Sequence, residues 1–199
     1  MQETAEFEVV LPEGNSRLKI LSTLPEGISM DKTLFEEIWN LHPEAHGKVR
    51  IAGKEIDVPR WQQAYGQSYY YTGMMHTALP LTHPYLIKLL EWVRADSGKN
   101  YTQVLINWYQ NGNHYIGSHS DDTSQLVPQS DIYSFSFGQR RDFVITSKKD
   151  PHFRKVINMT GLIIMCGDMQ SYYKHSVPKR ALKTCPNRRI NITFKLFKL

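Results

Sequence analysis

Arg189-Ile-Asn-Ile-Thr-Phe-Lys-Leu-Phe197, at the end of the chain, alternates strictly between apolar and polar residues. Ile190, Ile192, Phe194 and Leu196 share one face, while Arg189, Asn191, Thr193 and Lys195 share the other, the period-two pattern of a strand with a buried side. Two destinations are open to the polar face. On a surface strand it is solvated; on a strand that closes a barrel-like sandwich it turns inward, where a guanidinium at position 189 needs an anionic partner. A dicarboxylate would satisfy it. Residues 104–109 repeat the pattern, with Leu105, Asn107 and Tyr109 opposite Val104, Ile106 and Trp108. Asn107 and Tyr109 offer an amide and a phenol to carboxylate oxygens, or Tyr109 simply packs in a core.

The rest of the second half reads as short strands separated by turns, at residues 133–137, 142–146, 156–158 and 161–166. Two amphipathic helices precede them. The first spans residues 29–41, with Ser29 or Asp31 as cap and Leu34, Phe35, Ile38, Trp39 and Leu41 as its apolar stripe. The second spans about residues 84–95, with Pro84 in its first turn and Gly98 just past its end. Helices first and antiparallel strands after predict an α+β protein. Residues 49–59 predict a hairpin turning near Gly53.

His119-x-Asp121, followed by His175, adds the chemistry. Two histidines and one carboxylate can occupy one face of an octahedral iron and leave its other positions open. The tripeptide alone is a weak motif. If residues 117–121 are extended, His119 and Asp121 point to the same side and can reach one ion, while Asp122 points away. His42, His46, His76, His83, His114 and His152 lack a carboxylate at this spacing and are expected at the surface or in caps.

Taken jointly, Asn107-Trp-Tyr109, His119-Ser-Asp121-Asp122, Ser136-Phe-Gly138 with Arg141-Asp-Phe143, Gly167-Asp168 leading to His175-Ser-Val-Pro178, and Arg189-Ile-Asn191 resemble the AlkB family. The motif order is kept from about Val49 to the C-terminus. Residues 58–60, 64–66 and 69–73 bring the likeness closest to the members that repair DNA. The resemblance implies a double-stranded β-helix, or jelly roll, with buttressing helices and an N-terminal nucleotide-recognition flap. It also implies one catalytic domain over residues 1–199, with 49–80 as the recognition region and 103–199 as the jelly-roll core.

The cofactors implied are Fe(II), held by His119, Asp121 and His175, and 2-oxoglutarate, held by Arg189 with Asn107, Tyr109, Asn191 and Lys195. The family pattern ends in Arg where this chain has Lys195, which keeps the charge but loses the planar fork that clamps a carboxylate. Arg189 is therefore the anchor for the far carboxylate.

The implied reaction is oxidative demethylation of 1-methyladenine and 3-methylcytosine in DNA, single strand preferred, releasing formaldehyde. RNA demethylation and a non-catalytic nucleic-acid-binding jelly roll are the alternatives. Tyr71 is expected to sandwich the extracted base against His119, Tyr69 to bond the nucleotide, and Asp122 to attract a cationic base; a plain aromatic core cluster also explains the tyrosines. Arg50, Ile51, Ala52 and Arg60 belong to the flap, with the two arginines approaching phosphates. Its Ile51-Ala52 tip lacks the bulky aromatic with which some duplex-repairing relatives fill the gap left by a flipped base.

Composition agrees with this reading. A chain of 199 residues that is 41% hydrophobic can bury one sizeable core. A net charge of +5 favours a polyanionic partner without requiring one. Two cysteines, Cys166 and Cys185, are too few for a disulfide framework and suit a reducing compartment. No secretory leader and no membrane-spanning run is read, so an intracellular monomer is expected, with nucleus and cytoplasm not distinguished.

Overall fold

The computed structural model describes residues 6–51, 53–71 and 74–198, without the side chains of Ile51 and Tyr71. In chain order the elements are β1 (Glu6–Val10), β2 (Ser16–Leu21), α1 (Lys32–Trp39), β3 (Lys48–Ile51), β4 (Lys54–Asp57), β5 (Trp61–Tyr65), β6 (Tyr69–Tyr71), β7 (Met74–His76) and β8 (Ala78–Leu79). Then follow α2 (Pro84–Ser97), β9 (Gln103–Tyr109), β10 (Ile116–His119), β11 (Ile132–Ser147), β12 (Arg154–Gly167), α3 (Met169–Tyr172), β13 (Tyr173–Val177) and β14 (Arg189–Lys195).

Both helices stop where their caps dictate. Asp31, one of the two expected caps, accepts a hydrogen bond from the Leu34 amide at 2.8 Å, so α1 starts at Lys32 rather than at residue 29. His83 accepts from the Tyr85 amide ahead of Pro84, and Gly98, at φ 65°, closes α2 in the left-handed conformation.

The four short strands expected between residues 133 and 166 are two long ones. Residues 133–137 and 142–146 merge into β11, and 156–158 and 161–166 into β12. The register of the β11–β12 pair shifts between Ser136 and Arg141, and Gly138 lies there at φ 83°. Such a bulge bends a ribbon from one sheet into another. Before the bend β11 pairs with β14; after it, Val144–Ser147 pair with β13, which in turn pairs with β10. The larger layer runs β1-β2-β12-β11-β14-β9-β5-β8. Two sheets sharing a bent ribbon fit the jelly roll.

One face of β14 meets the helices. Ile190, Ile192 and Phe194 are fully buried and join Ile38, Leu86, Leu89 and Val93 in the larger core. Each such side chain contributes about 1.5–3 kcal/mol by leaving water. The polar face of β14 is buried as well, between the sheets. The expected hairpin exists as β3 paired with β4, with Gly53 at φ 78° in its turn. Ala52 lies outside the described residues. No described helix is long and apolar enough to cross a membrane.

Candidate active site

Three neighbouring strands present a row of polar side chains to the space between the sheets. In the register, Arg189 faces Tyr109 and Asn191 faces Asn107 across β9, and Asn191 faces Ser136 across β11. Arg189 donates from Nη2 to Ser136 Oγ at 2.8 Å and lies over the Tyr109 ring at 4.8 Å. Asn191 is turned toward β11, donating to Ser134 Oγ at 2.9 Å and to the Phe135 carbonyl at 2.8 Å. Only 5% of Arg189 is exposed, yet its Nε and Nη1 have no hydrogen-bond partner among the described residues. Buried N–H donors rarely stay unsatisfied, so this guanidinium is built for an acceptor that enters the cavity.

The second group lies at the other end of the same cavity. The ligand atoms of His119, Asp121 and His175 all lie within 4.8 Å of one another. Strand β10 ends at His119, so Asp121 comes from the loop beyond rather than from an extended run. That loop is fixed by its neighbours: the Asp121 amide donates to Gln170 Oε1 at 2.8 Å, and Ser120 Oγ donates to the Tyr173 carbonyl. His119 Nδ1 donates to the Gly117 carbonyl at 2.9 Å, which leaves Nε2 with its lone pair for a metal. Cross-strand pairing of His119 with His175 brings their ring centroids to 4.4 Å.

Electrostatics keep this set ready to bind a cation. Burial, and then the neighbouring His119, pull the His175 pKa down to about 3. Burial also lowers His119, against the pull of Asp121. Burial alone would raise the Asp121 carboxyl, but Lys195, His175 and His119 outweigh it and hold the group well below the usual carboxylate range. Two neutral imidazoles and one carboxylate are a fitting donor set for Fe(II).

Lys195 is buried and donates to Asp121 Oδ1 at 2.7 Å. Its charge is therefore engaged by the metal-binding carboxylate, at the metal end of the cavity rather than beside Arg189.

Other expected site residues are placed differently from the sequence reading. Arg60 does not face phosphates: it is buried in the cavity wall, donating from Nε to Asn107 Oδ1 at 2.7 Å and from Nη2 to Gln62 Oε1 at 3.1 Å. Pro59 and the start of β5 turn it inward. Asp122 is exposed, is not among the residues lining the cavity, and accepts from the Ser124 amide at 2.9 Å. Arg50 is exposed on the hairpin and pairs with Glu55 at 3.1 Å. Ile51 is the last residue of β3. Tyr69 is buried in the cavity wall, with the His76 ring stacked on it at 4.8 Å. Tyr71 lies in β6, its side chain outside the described set.

Several contributors were not assigned a role from the sequence, although Ser136 and Arg141 stand in the motifs that carry the resemblance. Ser134 and Ser136 hold Asn191 and Arg189. Arg141, 3% exposed, donates to the carbonyls of Asn111, His114 and Pro178 at 2.8–3.1 Å and lies 5.9 Å from the Tyr109 ring centroid. It thus joins the segment entering β10 to the one leaving β13, the strands that carry His119 and His175. Of the remaining histidines, His83 is a cap as expected, but His42, His46 and His114 surround Trp61, with His42 stacked on it at 4.3 Å.

Residues 31–195 match the model of the 2OG-Fe(II) oxygenase superfamily. The chain belongs to that superfamily. Within it, this oxygenase is 34% identical over 163 residues to the human DNA oxidative demethylase ALKBH2, covering 76% of the chain and 61% of that protein. It is 31% identical over 148 residues to the Bos taurus alpha-ketoglutarate-dependent dioxygenase alkB homolog 3, covering 69% of the chain and 51% of that protein. The chain thus spans between half and two thirds of the length of these relatives. The solved structure of OsALKBH1 shares the fold, with a TM-score of 0.61 at 15% identity, over 94% of this chain and 98% of that one. These likenesses make the oxygenase an AlkB-family member, close to the members that repair DNA.

Proposed function

We propose that this oxygenase removes N-alkyl groups from nucleobases in DNA by oxidation, with single-stranded DNA as the preferred substrate. The observation that carries the reading is one cavity with three features: the His119, Asp121 and His175 donor set at one end, the unpartnered donors of Arg189 at the other, and Tyr69 in the wall. Fe(II) and 2-oxoglutarate, when bound, supply the oxidising chemistry. Of the two atoms of dioxygen, one leaves in succinate and the other in formaldehyde, with CO2 lost, the base nitrogen regaining its lone pair and a proton released from the cationic lesion.

The chain's own residues bind and orient. His119, Asp121 and His175 would hold the iron, and Lys195 keeps the Asp121 carboxylate ionised and aimed. Arg189 would take the far carboxylate of 2-oxoglutarate, with Tyr109 and Asn107 beside it. Tyr69 would flank the base, as would Tyr71 on the family pattern. A base can reach such a cavity only after leaving its stack, which costs least in a single strand. The Ile51-Ala52 tip, with no large ring to fill a gap in a duplex, favours the same choice and keeps RNA as the second reading.

The test is mass spectrometry of a single-stranded DNA oligonucleotide carrying 1-methyladenine or 3-methylcytosine, with Fe(II), 2-oxoglutarate and ascorbate. Loss of the methyl group with the intact protein, and none with His119→Ala, is expected. Succinate without demethylation would move the substrate to RNA or protein; neither product would leave a silent binding module.

A further inference from the structure

Among the described residues lining the cavity, Arg60 is the one permanently charged group that the proposed chemistry leaves unused. It is 7% exposed, and both of its hydrogen bonds go to neutral amides, Asn107 and Gln62. Nη1 has no hydrogen-bond partner among the described residues. A largely buried guanidinium in the cavity wall with a donor to spare can serve an acceptor that enters the cavity.

The neighbours locate where that acceptor would sit. Gln62 Nε2 approaches His76 Nδ1 at 3.5 Å, and His76 stacks on Tyr69. Arg60, Tyr69 and His119 line the same cavity. Arg60 therefore lies between Asn107, on the co-substrate side, and the row Gln62, His76 and Tyr69, where the base is expected.

The candidate lesions differ on that edge. In 3-methylcytosine the alkylated nitrogen lies between a carbonyl and an amino group. In 1-methyladenine it lies between an amino group and a C–H, with no carbonyl. Both are cations, so an added positive charge disfavours both alike, and the difference between them isolates the hydrogen bond. An amino group set against a guanidinium leaves donor facing donor, and buried groups left unpaired are what give strong discrimination.

We infer that Arg60 reads the carbonyl oxygen beside the alkylated nitrogen, so that the oxygenase ranks 3-methylcytosine ahead of 1-methyladenine. The inference rests on the demethylase reading and adds to it a specificity residue. It extends to 1-methylguanine and 3-methylthymine, which offer the same carbonyl and carry no opposing charge.

The experiment is a competition between two single-stranded DNA oligonucleotides of one sequence, carrying 3-methylcytosine or 1-methyladenine, followed by mass spectrometry with the iron-loaded protein. The expected kcat/KM ratio favours 3-methylcytosine about tenfold, the order expected for one hydrogen bond from a charged donor. Arg60→Gln keeps a donor for Asn107 Oδ1 but loses the charge and the fork, and should bring the ratio to parity; Arg60→Met should do the same. Melting and the 2-oxoglutarate KM of both variants, measured alongside, show whether the site stays assembled. A wild-type ratio at or below one would overturn the inference. So would variants that slow both lesions together with the ratio intact, since Arg60 would then act through Asn107 on the co-substrate. Demethylation of neither oligonucleotide would overturn the demethylase reading itself.

Discussion

Lys195→Met removes the ammonium that faces Asp121 while keeping most of the side-chain volume. In the folded protein the two charged atoms lie 2.7 Å apart, with both side chains about 10% exposed. Without Lys195, the Asp121 carboxylate keeps only His119 and His175 for company, and burial holds both in the neutral form. Breaking a buried pair from one side costs about 3–5 kcal/mol, because the remaining charge is stranded. With a urea m-value of about 2 kcal/mol/M, the metal-free midpoint should fall by about 2 M. Trp39, Trp61, Trp92 and Trp108 give the fluorescence to follow it. Saturating Mn(II) should shrink the deficit, since a divalent ion on His119, Asp121 and His175 supplies the missing positive charge. Acidification should shrink it too. The depressed Asp121 pKa gives wild type stability that is present above the unfolded value, about 3.8–3.9, and is lost as pH falls through the folded one. An equal deficit with and without metal, or one below about 1 kcal/mol, would refute the reasoning and reduce Lys195 to a packing residue.

Arg189→Met should raise the 2-oxoglutarate KM about 100-fold, the worth of a charge-assisted bidentate contact, while calorimetry shows Mn(II) binding unchanged; an unaltered KM would remove Arg189 from the anchor role. Arg141→Met strands the carbonyls of Asn111, His114 and Pro178 and should cost about 3 kcal/mol, or about 9 °C in Tm for a domain of this size. Arg141→Lys should not recover it, because one ammonium cannot span all three, and full recovery would count against the brace. Metal-free stability should rise between about pH 4 and pH 6.5. The folded protein holds His175 near 3, so the unfolded chain binds the extra proton first and stability falls on acidification through the unfolded value of about 6.5. A flat profile by urea titration across that window would contradict it.

Residues 189–195 were legible because one strand obeys one simple rule: apolar side chains at every second position mark the core, and the polar ones between them face whatever lies opposite. What lies opposite is not written in the strand. Ser134 and Ser136 come from β11, and their roles depend on a register that forms only on folding. Arg60 was misread for a similar reason. Its neighbours Val58 and Pro59 read as the end of a hairpin, where arginines usually meet solvent, but β5 begins one residue later and pairs with β9, which carries the side chain inward to Asn107. Asp122 was expected on an extended strand that points it away from the metal; β10 ends at His119, so it lies in the loop beyond, and its carboxylate accepts from the Ser124 amide. The bend that merges four expected strands into two is hidden because turn residues and bulge residues are the same types, glycine foremost.

Strand β10 is four residues long, and among the described residues its one ladder partner is β13. His119 sits at its last position and His175 directly across from it. An ion held by both side chains, and by Asp121 just beyond, therefore acts as a clasp on the outermost strand of its layer. Loading would do more than arm the chemistry: it would fasten a short edge that the backbone ladder grips from one side only. Iron status should then be written into amide exchange at Ile116–His119, and a protease probing that rim would report whether the oxygenase is charged before any substrate is added.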